Sequence, residues 1–219
     1  MNWNRPWRLA LLFAAGAAAQ VAEYANGGYR SEEGRARVAQ SLSAHDREET
    51  QKPRELVEMM NIAPDMTVAD IGTGVGFMLP YLHDALGSAG RILAEDIFPD
   101  FLEKARSRVK ERGLNNVTFI LGTDKDPKLP AGQVDVALVL DAYHHFDYPA
   151  EMLNGLARGL KENGRLVIVD FYKAGFRDPK HIRLDQADVI KEVEANGFKL
   201  VSNGPFTPNR QYIAVFRKN

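Results

Sequence analysis

Two clusters in this 219-residue chain hold residues able to do chemistry. The first is Asp70-Ile-Gly-Thr-Gly-Val-Gly76, an acid followed by Gly72, Gly74 and Gly76, with Thr73 between the first two. Glycines so spaced allow a tight turn and bring a ligand close to the main chain. A helix starting behind them adds unpaired N–H groups and a positive dipole end. An acid before such a turn suits an amine or hydroxyl better than a phosphate. Asp96, further along, could grip a ribose diol. The second cluster is Asp141-Ala-Tyr-His-His145. Imidazole titrates near neutral pH, so His144 or His145 could serve as a general base, with Tyr143 and Asp141 beside them. Neighbours on an extended segment point to opposite sides, so at most one histidine is expected to face a substrate. Adjacent histidines seldom converge on one ion, and no other His or carboxylate shows ligand spacing, so no metal is expected. His45, His83 and His181 stand alone and read as structural or solvent-facing. No Gly-x-Ser-x-Gly elbow supports a serine hydrolase.

The elements around these clusters alternate strand and amphipathic helix, the pattern of a parallel sheet covered on both faces. Strands are expected at 67–71, 91–96, 117–121, 134–140 and 165–171. Helices are expected at 77–86, 99–112, 149–160 and 184–196. Pro80 forces the first of these to start late. A polar linker, 122–132, replaces one helix. Strands 198–202 and 211–216 close the chain as an antiparallel pair, giving a mixed sheet. Both clusters then fall at carboxyl ends of strands, where open α/β sheets meet their ligands.

Ahead of the sheet, Pro53 opens a helix that Asn61 and Pro64 close. Residues 20–51 are polar and read as an extension or lid on a domain spanning 52–219. The run Ala44-His-Asp-Arg-Glu-Glu49 reads first as a solvated helix face, although Asp46, Arg47 or Lys52 could close over the site.

Composition is that of a globular domain, 45% hydrophobic and 26% charged, with a formal charge of −1. That balance gives no field for nucleic acid or an anionic membrane. The absence of cysteine excludes disulfides, a thiol nucleophile and a cysteine metal cluster. Arg5 and Arg8 precede the uncharged run Leu9–Ala19, too short to span a bilayer comfortably. With small residues at Ala17 and Ala19 it reads as a signal peptide cleaved before Gln20, which implies export and no integral membrane segment in the mature chain. A retained hydrophobic helix, on a cytoplasmic or membrane-associated protein, is the alternative.

Asp70-Ile-Gly-Thr-Gly-Val-Gly76 resembles motif I of the class I S-adenosylmethionine-dependent methyltransferases. Further stretches continue the resemblance over about residues 52–217. They are Ile92–Ala105, the loop Leu121–Pro130, Val134–Phe146 with its Tyr-His-His, and Leu160–Asp170. The family implies a Rossmann-like α/β fold with a mostly parallel seven-stranded sheet, an antiparallel last strand and helices on both faces. It also implies S-adenosyl-L-methionine as cofactor and a methyl acceptor that is a small molecule.

Carried over by position, Gly72, Thr73, Gly74 and Gly76 would make room for the methionine part, and Asp70 would hold its amino group. Asp96 would bind the ribose hydroxyls, Ile97 would pack on the adenine, and Thr123 or Asp124 would meet its amine. That loop has two residues more than the commoner Gly-Asp-Ala-x-x-Leu-Pro spacing. Asp141 would border cofactor and acceptor. A non-catalytic binder of the same nucleoside is the second reading. A nucleotide-dependent oxidoreductase is the third, disfavoured because Phe77 stands where a dinucleotide fingerprint wants its third glycine.

Overall fold

The computed structural model describes residues 20–87 and 89–219. The run read as an export signal lies outside them. Seven strands form one sheet: β1 (Thr67–Ile71), β2 (Arg91–Asp96), β3 (Val117–Leu121), β4 (Val134–Leu140), β5 (Leu160–Phe171), β6 (Phe198–Thr207) and β7 (Gln211–Lys218). Their order is β3-β2-β1-β4-β5-β7-β6, with β1 to β5 parallel and β7 antiparallel to both of its neighbours. The order reverses between β1 and β4, so a crevice opens at the carboxyl ends of these two strands.

Period-two alternation sends each central strand's residues to two separate cores. Ala69, Ile71, Ala137, Val139, Leu166 and Ile168 face one side, under α6 (Pro149–Gly159) and α7 (Gln186–Ala195). Val68, Val136, Leu138 and Val167 face the other, where α3 (Pro53–Met60), α4 (Leu79–Ala85) and α5 (Pro99–Arg112) bring Leu56, Met60, Leu82 and Ala105. Both faces are buried, which is why β1 and β4 are almost continuously apolar.

The elements follow the sequence pattern with shifts at their ends. Pro80 sits in the first turn of α4, which starts at Leu79 rather than Phe77. β5 begins at Leu160, five residues early, because Val134 pairs with Leu160 before the register shift that leads to Arg165. β6 runs to Thr207, well beyond the expected Ser202, held by β7 through two further register shifts.

Residues 20–51 pack on the sheet's carboxyl edge through α1 (Glu32–Leu42) and α2 (Arg47–Gln51). In the run Ala44–Glu49 every residue but Arg47 is exposed, as a solvated face requires; Arg47 is half-buried and borders the cavity described below, and Gln51, beyond the run, is buried. A polar knot holds α2 in place. Gln51 Nε2 donates to Asp141 Oδ2 at 2.6 Å, and Gln211 Nε2 donates to both Asp141 Oδ1 (2.7 Å) and Gln51 Oε1 (2.8 Å). Thr207 Oγ1 completes it by donating to Gln211 Oε1 at 2.8 Å. Asp141 adopts φ +53° at the end of β4, a strained setting for a non-glycine residue that this knot sustains.

Gln211→Leu would leave Asp141 Oδ1 and Gln51 Oε1 without donors. At roughly 1–3 kcal/mol per orphaned buried group, and roughly 2–4 °C per kcal/mol for a chain of this size, Tm should fall by about 5–10 °C in thermal unfolding. A fall under about 2 °C would show that the knot does not hold α2 to the sheet.

Candidate functional site

The crevice between β1 and β4 is a cavity of about 380 Å³. Its floor is the glycine turn after β1, where Gly72, Gly74 and Gly76 take φ of +68°, +57° and +77°. A Cβ on Gly72 would lie 2.9 Å from Ala142 Cβ, so turn and β4 edge meet with no room for a side chain. Gly76 does different work and does not border the cavity. Its Cβ would lie 2.9 Å from Leu79 Cδ1 and 3.1 Å from Ala105 Cβ, so it lets α4 and α5 pack closely.

The turn's hydrogen-bond donors are directed at carboxylates. Gly74 N donates to Asp96 Oδ2 (2.9 Å), Gly72 N to Glu95 Oε2 (3.3 Å), and Thr73 Oγ1 to Asp70 Oδ2 (2.7 Å). Thr73 N donates to the Glu95 carbonyl (2.8 Å). Phe98 N adds a second bond to Asp96, at Oδ1 (2.9 Å). Burial pushes Asp70, Asp96 and Asp141 up to about 6. Burial, reinforced by the Asp96 charge, holds Glu95 well above the ordinary glutamate range. Glu95 Oε1 is buried with no partner among the described residues. In the sequence Glu95 is overshadowed by Asp96 beside it, which holds the family position. Its neighbour's role gave no signal, although a charged residue ending an otherwise apolar strand did.

Arg47 is the half-buried cation beside these acids. Its guanidinium lies 4.7 Å from the Phe77 ring centroid, and its buried Nε has no partner among the described residues. Burial lowers its pKa against the pull of Asp141. Tyr29, also unmarked in the sequence, forms another wall: it stacks on Phe98 (5.6 Å, 15°) and meets the His145 ring edge-on (4.9 Å). Burial pushes its hydroxyl up to about 12.

Ile97, Thr123 and Asp124 border the far end of the cavity. The Thr123 hydroxyl is committed to its own loop, accepting from Asp126 N (3.0 Å) and Lys125 N (3.3 Å). The Asp124 carboxylate has no hydrogen bond among the described residues and is exposed.

Of Tyr143, His144 and His145, only His145 borders the cavity, together with Asp141. Tyr143 is buried and donates to Glu192 Oε1 (2.7 Å); burial and then that carboxylate push its pKa up, so it holds its proton. His144 is buried against Asp170, Nδ1 to Oδ1 at 2.7 Å, with its backbone N on Oδ2 at 3.0 Å. Burial works against its charged form, but the Asp170 charge and hydrogen bond raise its pKa overall. His145 goes the other way. Burial, then the neighbouring His144 and His181, hold it well below the usual histidine range.

Two expectations about these histidines are corrected. Tyr143–His145 form a 3₁₀ turn, not an extended segment, so successive side chains are about 120° apart rather than opposed. The two rings consequently lie side by side, centroids 4.1 Å apart. His181 is not isolated: its ring lies 5.2 Å from His144 and 5.3 Å from His145. Sequence spacing could not show this, because 36 residues separate His181 from His145 and only the packing of the loop after β5 brings them together.

Residues 69–168 match the family model described as "Methyltransferase domain". An uncharacterized methyltransferase of Bacillus subtilis, YcgJ, is 30% identical over 53% of this chain and 50% of its own length. The ubiquinone/menaquinone biosynthesis C-methyltransferase UbiE of Ectopseudomonas mendocina is 26% identical over 56% of this chain and 48% of its own. The chain thus spans about half the length of these curated relatives. The structure of a SAM-dependent methyltransferase from Aquifex aeolicus superposes with a TM-score of 0.78 at 24% identity, over 83% of this chain and 97% of that one. Residues 69–168 carry the match to a methyltransferase domain, and the sheet that contains them has the fold of solved methyltransferases.

Proposed function

We propose that the cavity binds S-adenosyl-L-methionine and that the chain transfers its methyl group to a small acceptor. One observation carries the reading: the glycine turn gives its N–H groups to Glu95 and Asp96. In a dinucleotide site such donors face a pyrophosphate. Here they hold acids, and the resulting carboxylate-rich cavity favours an ammonium and a sulfonium while repelling two phosphates.

The donor set fits the cofactor part by part. The Arg47 guanidinium, which borders the cavity, suits the methionine carboxylate, and Asp141 suits its ammonium. Asp70 lies behind Thr73, outside the cavity lining, and acts there through its charge and through the Thr73 hydroxyl. Each Asp96 oxygen accepts one backbone N–H and retains lone pairs for a ribose hydroxyl. With the Thr123 hydroxyl used within its own loop, Asp124 is the residue that would meet the adenine amine, with Ile97 along the ring.

The bound cofactor supplies an electrophilic methyl group. The chain supplies position, which is the main requirement of an in-line displacement. His145 is the acceptor-side residue. Its tautomer is fixed, since Asn26 Nδ2 donates to the His145 carbonyl (3.0 Å), which turns Asn26 Oδ1 toward His145 Nδ1 (2.8 Å). The proton therefore sits on Nδ1, and Nε2 keeps its lone pair for an acceptor's X–H.

Calorimetry should show binding of S-adenosylmethionine and of its demethylated product, weakened roughly 10–100-fold by Asp96→Ala and by Arg47→Ala, as expected for losing a charge-assisted pair of about 1.5–3 kcal/mol. Binding of a nicotinamide dinucleotide with neither of these would overturn the reading. In a labelled-methyl screen, His145→Ala should lower turnover at least tenfold with product affinity unchanged.

The raised carboxylates set a pH dependence. Ligand-free, a carboxyl shifted from 3.8 to about 6 favours the fold while protonated, and that contribution is lost as pH rises through 6. Asp70→Asn removes the loss, on the order of 3 kcal/mol by pH 7.5, so the variant's Tm should fall less than the wild type's between pH 4.5 and 7.5. Parallel curves would contradict it. A cationic cofactor binds the ionised acids, so its affinity should rise over the same range.

The proposal includes residues 1–19 as an export signal. N-terminal sequencing of fractionated cells should find a chain starting at Gln20 outside the cytosol; an intact Met1 inside it would contradict export.

A further inference from the structure

We propose that His144, His145 and His181 bind a divalent metal ion of the zinc class at the acceptor end of the cavity. One nitrogen from each ring lies within 4.8 Å of one from each of the others. The arrangement of their partners is what separates this cluster from three rings in chance contact. His144 has its Nδ1 on buried Asp170, and His145 has its Nδ1 on Asn26 Oδ1. Both oxygens accept, so in each neutral ring the proton sits on Nδ1 and Nε2 carries the lone pair; on His144 the ion takes the place of the second proton that Asp170 favours. Metal-binding histidines are oriented this way, by a carboxylate or carbonyl oxygen on the nitrogen that does not bind the ion.

Asp170 is itself fixed, accepting from His144 N (3.0 Å) and Phe171 N (2.8 Å). His181 stacks flat on Phe176 (4.9 Å, 12°), and its ring has no hydrogen bond among the described residues, so it has a nitrogen to give. The loop that carries it is tied across to the N-terminal segment by Tyr24 Oη donating to Asp178 Oδ2 (2.8 Å). Among the described residues the one hydrogen-bonding group near His145 Nε2 is the Tyr29 hydroxyl, at 3.4 Å, too long for a strong bond.

Three neutral imidazoles suit zinc and its first-row neighbours rather than calcium or magnesium, which take oxygen. Three histidines and an open fourth position make a site that accepts an exogenous ligand. Tetrahedral coordination at about 2.1 Å puts ligand nitrogens about 3.4 Å apart, so binding draws the His181 loop inward. Because His145 also borders the cavity, the ion's open position would take an acceptor's oxygen or sulfur and lower its pKa, so that its proton leaves to solvent before methyl transfer; with Nε2 on the ion, the ion replaces Nε2 as the group that activates the acceptor. That role rests on the methyltransferase reading; metal binding itself does not.

The test uses the full chain, stripped with chelator and titrated with Co²⁺, whose visible absorption reports tetrahedral coordination. One equivalent should produce that absorption, and Zn²⁺ should displace it. Asp170→Asn should weaken binding roughly 10–100-fold, and His181→Ala should abolish the signal, whereas His83→Ala, remote from the cluster, should leave it unchanged. Zn²⁺ should raise the Tm of the wild type and not that of His181→Ala, and an unchanged ligand-free Tm for that variant shows that it folds. No absorption at one equivalent, or a titration unaltered by His181→Ala, overturns the metal site. Failure of the wild type to bind the demethylated cofactor product, with Co²⁺ binding intact, overturns the methyltransferase reading and leaves the metal site standing.

Discussion

Everything at the open edge of this sheet depends on burying carboxylates. Asp70, Glu95, Asp96 and Asp141 end strands β1, β2 and β4 or lie just past them, and each is shifted toward its neutral form by lost hydration. Ionised carboxylates withdrawn from water need donors. The glycine turn provides them, and this requirement explains its shape: left-handed angles at Gly72 and Gly74 turn successive N–H groups toward β2. Chain geometry and ligand preference thus have one cause. A site built to hold acids has its anion-binding donors already engaged.

The same constraint accounts for the N-terminal segment. Asp141 is held from outside the sheet, by Gln51 on α2 and Gln211 on β7, and Arg47 enters the cavity one helical turn before Gln51. Tyr29 and Asn26 come from the same segment and set the environment of His145. Residues 20–51 are therefore a wall of the site and not an appendage. Gln211 stands at the opposite end of the chain, so the site draws on both ends of the described sequence.

How much of this the sequence revealed follows the range of the interactions. The alternation of strand and helix, the glycine turn and Asp96 were legible because period and spacing are local. Pro80 announced the late start of α4 for the same reason. The reach of β6 to Thr207 was hidden, since pairing with β7 overrides a stretch containing Gly204 and Pro205. Arg47 could be picked out only as one of three candidates, with Asp46 and Lys52, because nothing in a charge run says which member turns inward. The His144–His145–His181 cluster depends on a 3₁₀ turn in place of extended chain and on a loop far along the sequence, neither of which leaves a local pattern. In the sequence Asp170 is the end of a strand and nothing more, and only its bond to His144 gives it a role.

The central claim is that the cavity's acids and the Arg47 guanidinium divide one zwitterionic, cationic cofactor between them. A crystal structure with the demethylated cofactor product bound is its most direct measurement. The account predicts the amino-acid carboxylate on Arg47, the ammonium on the Asp141 side and the ribose hydroxyls on Asp96. A product bound with its ribose away from Asp96, or with its carboxylate on the glycine-turn N–H groups in place of Glu95 and Asp96, would contradict it.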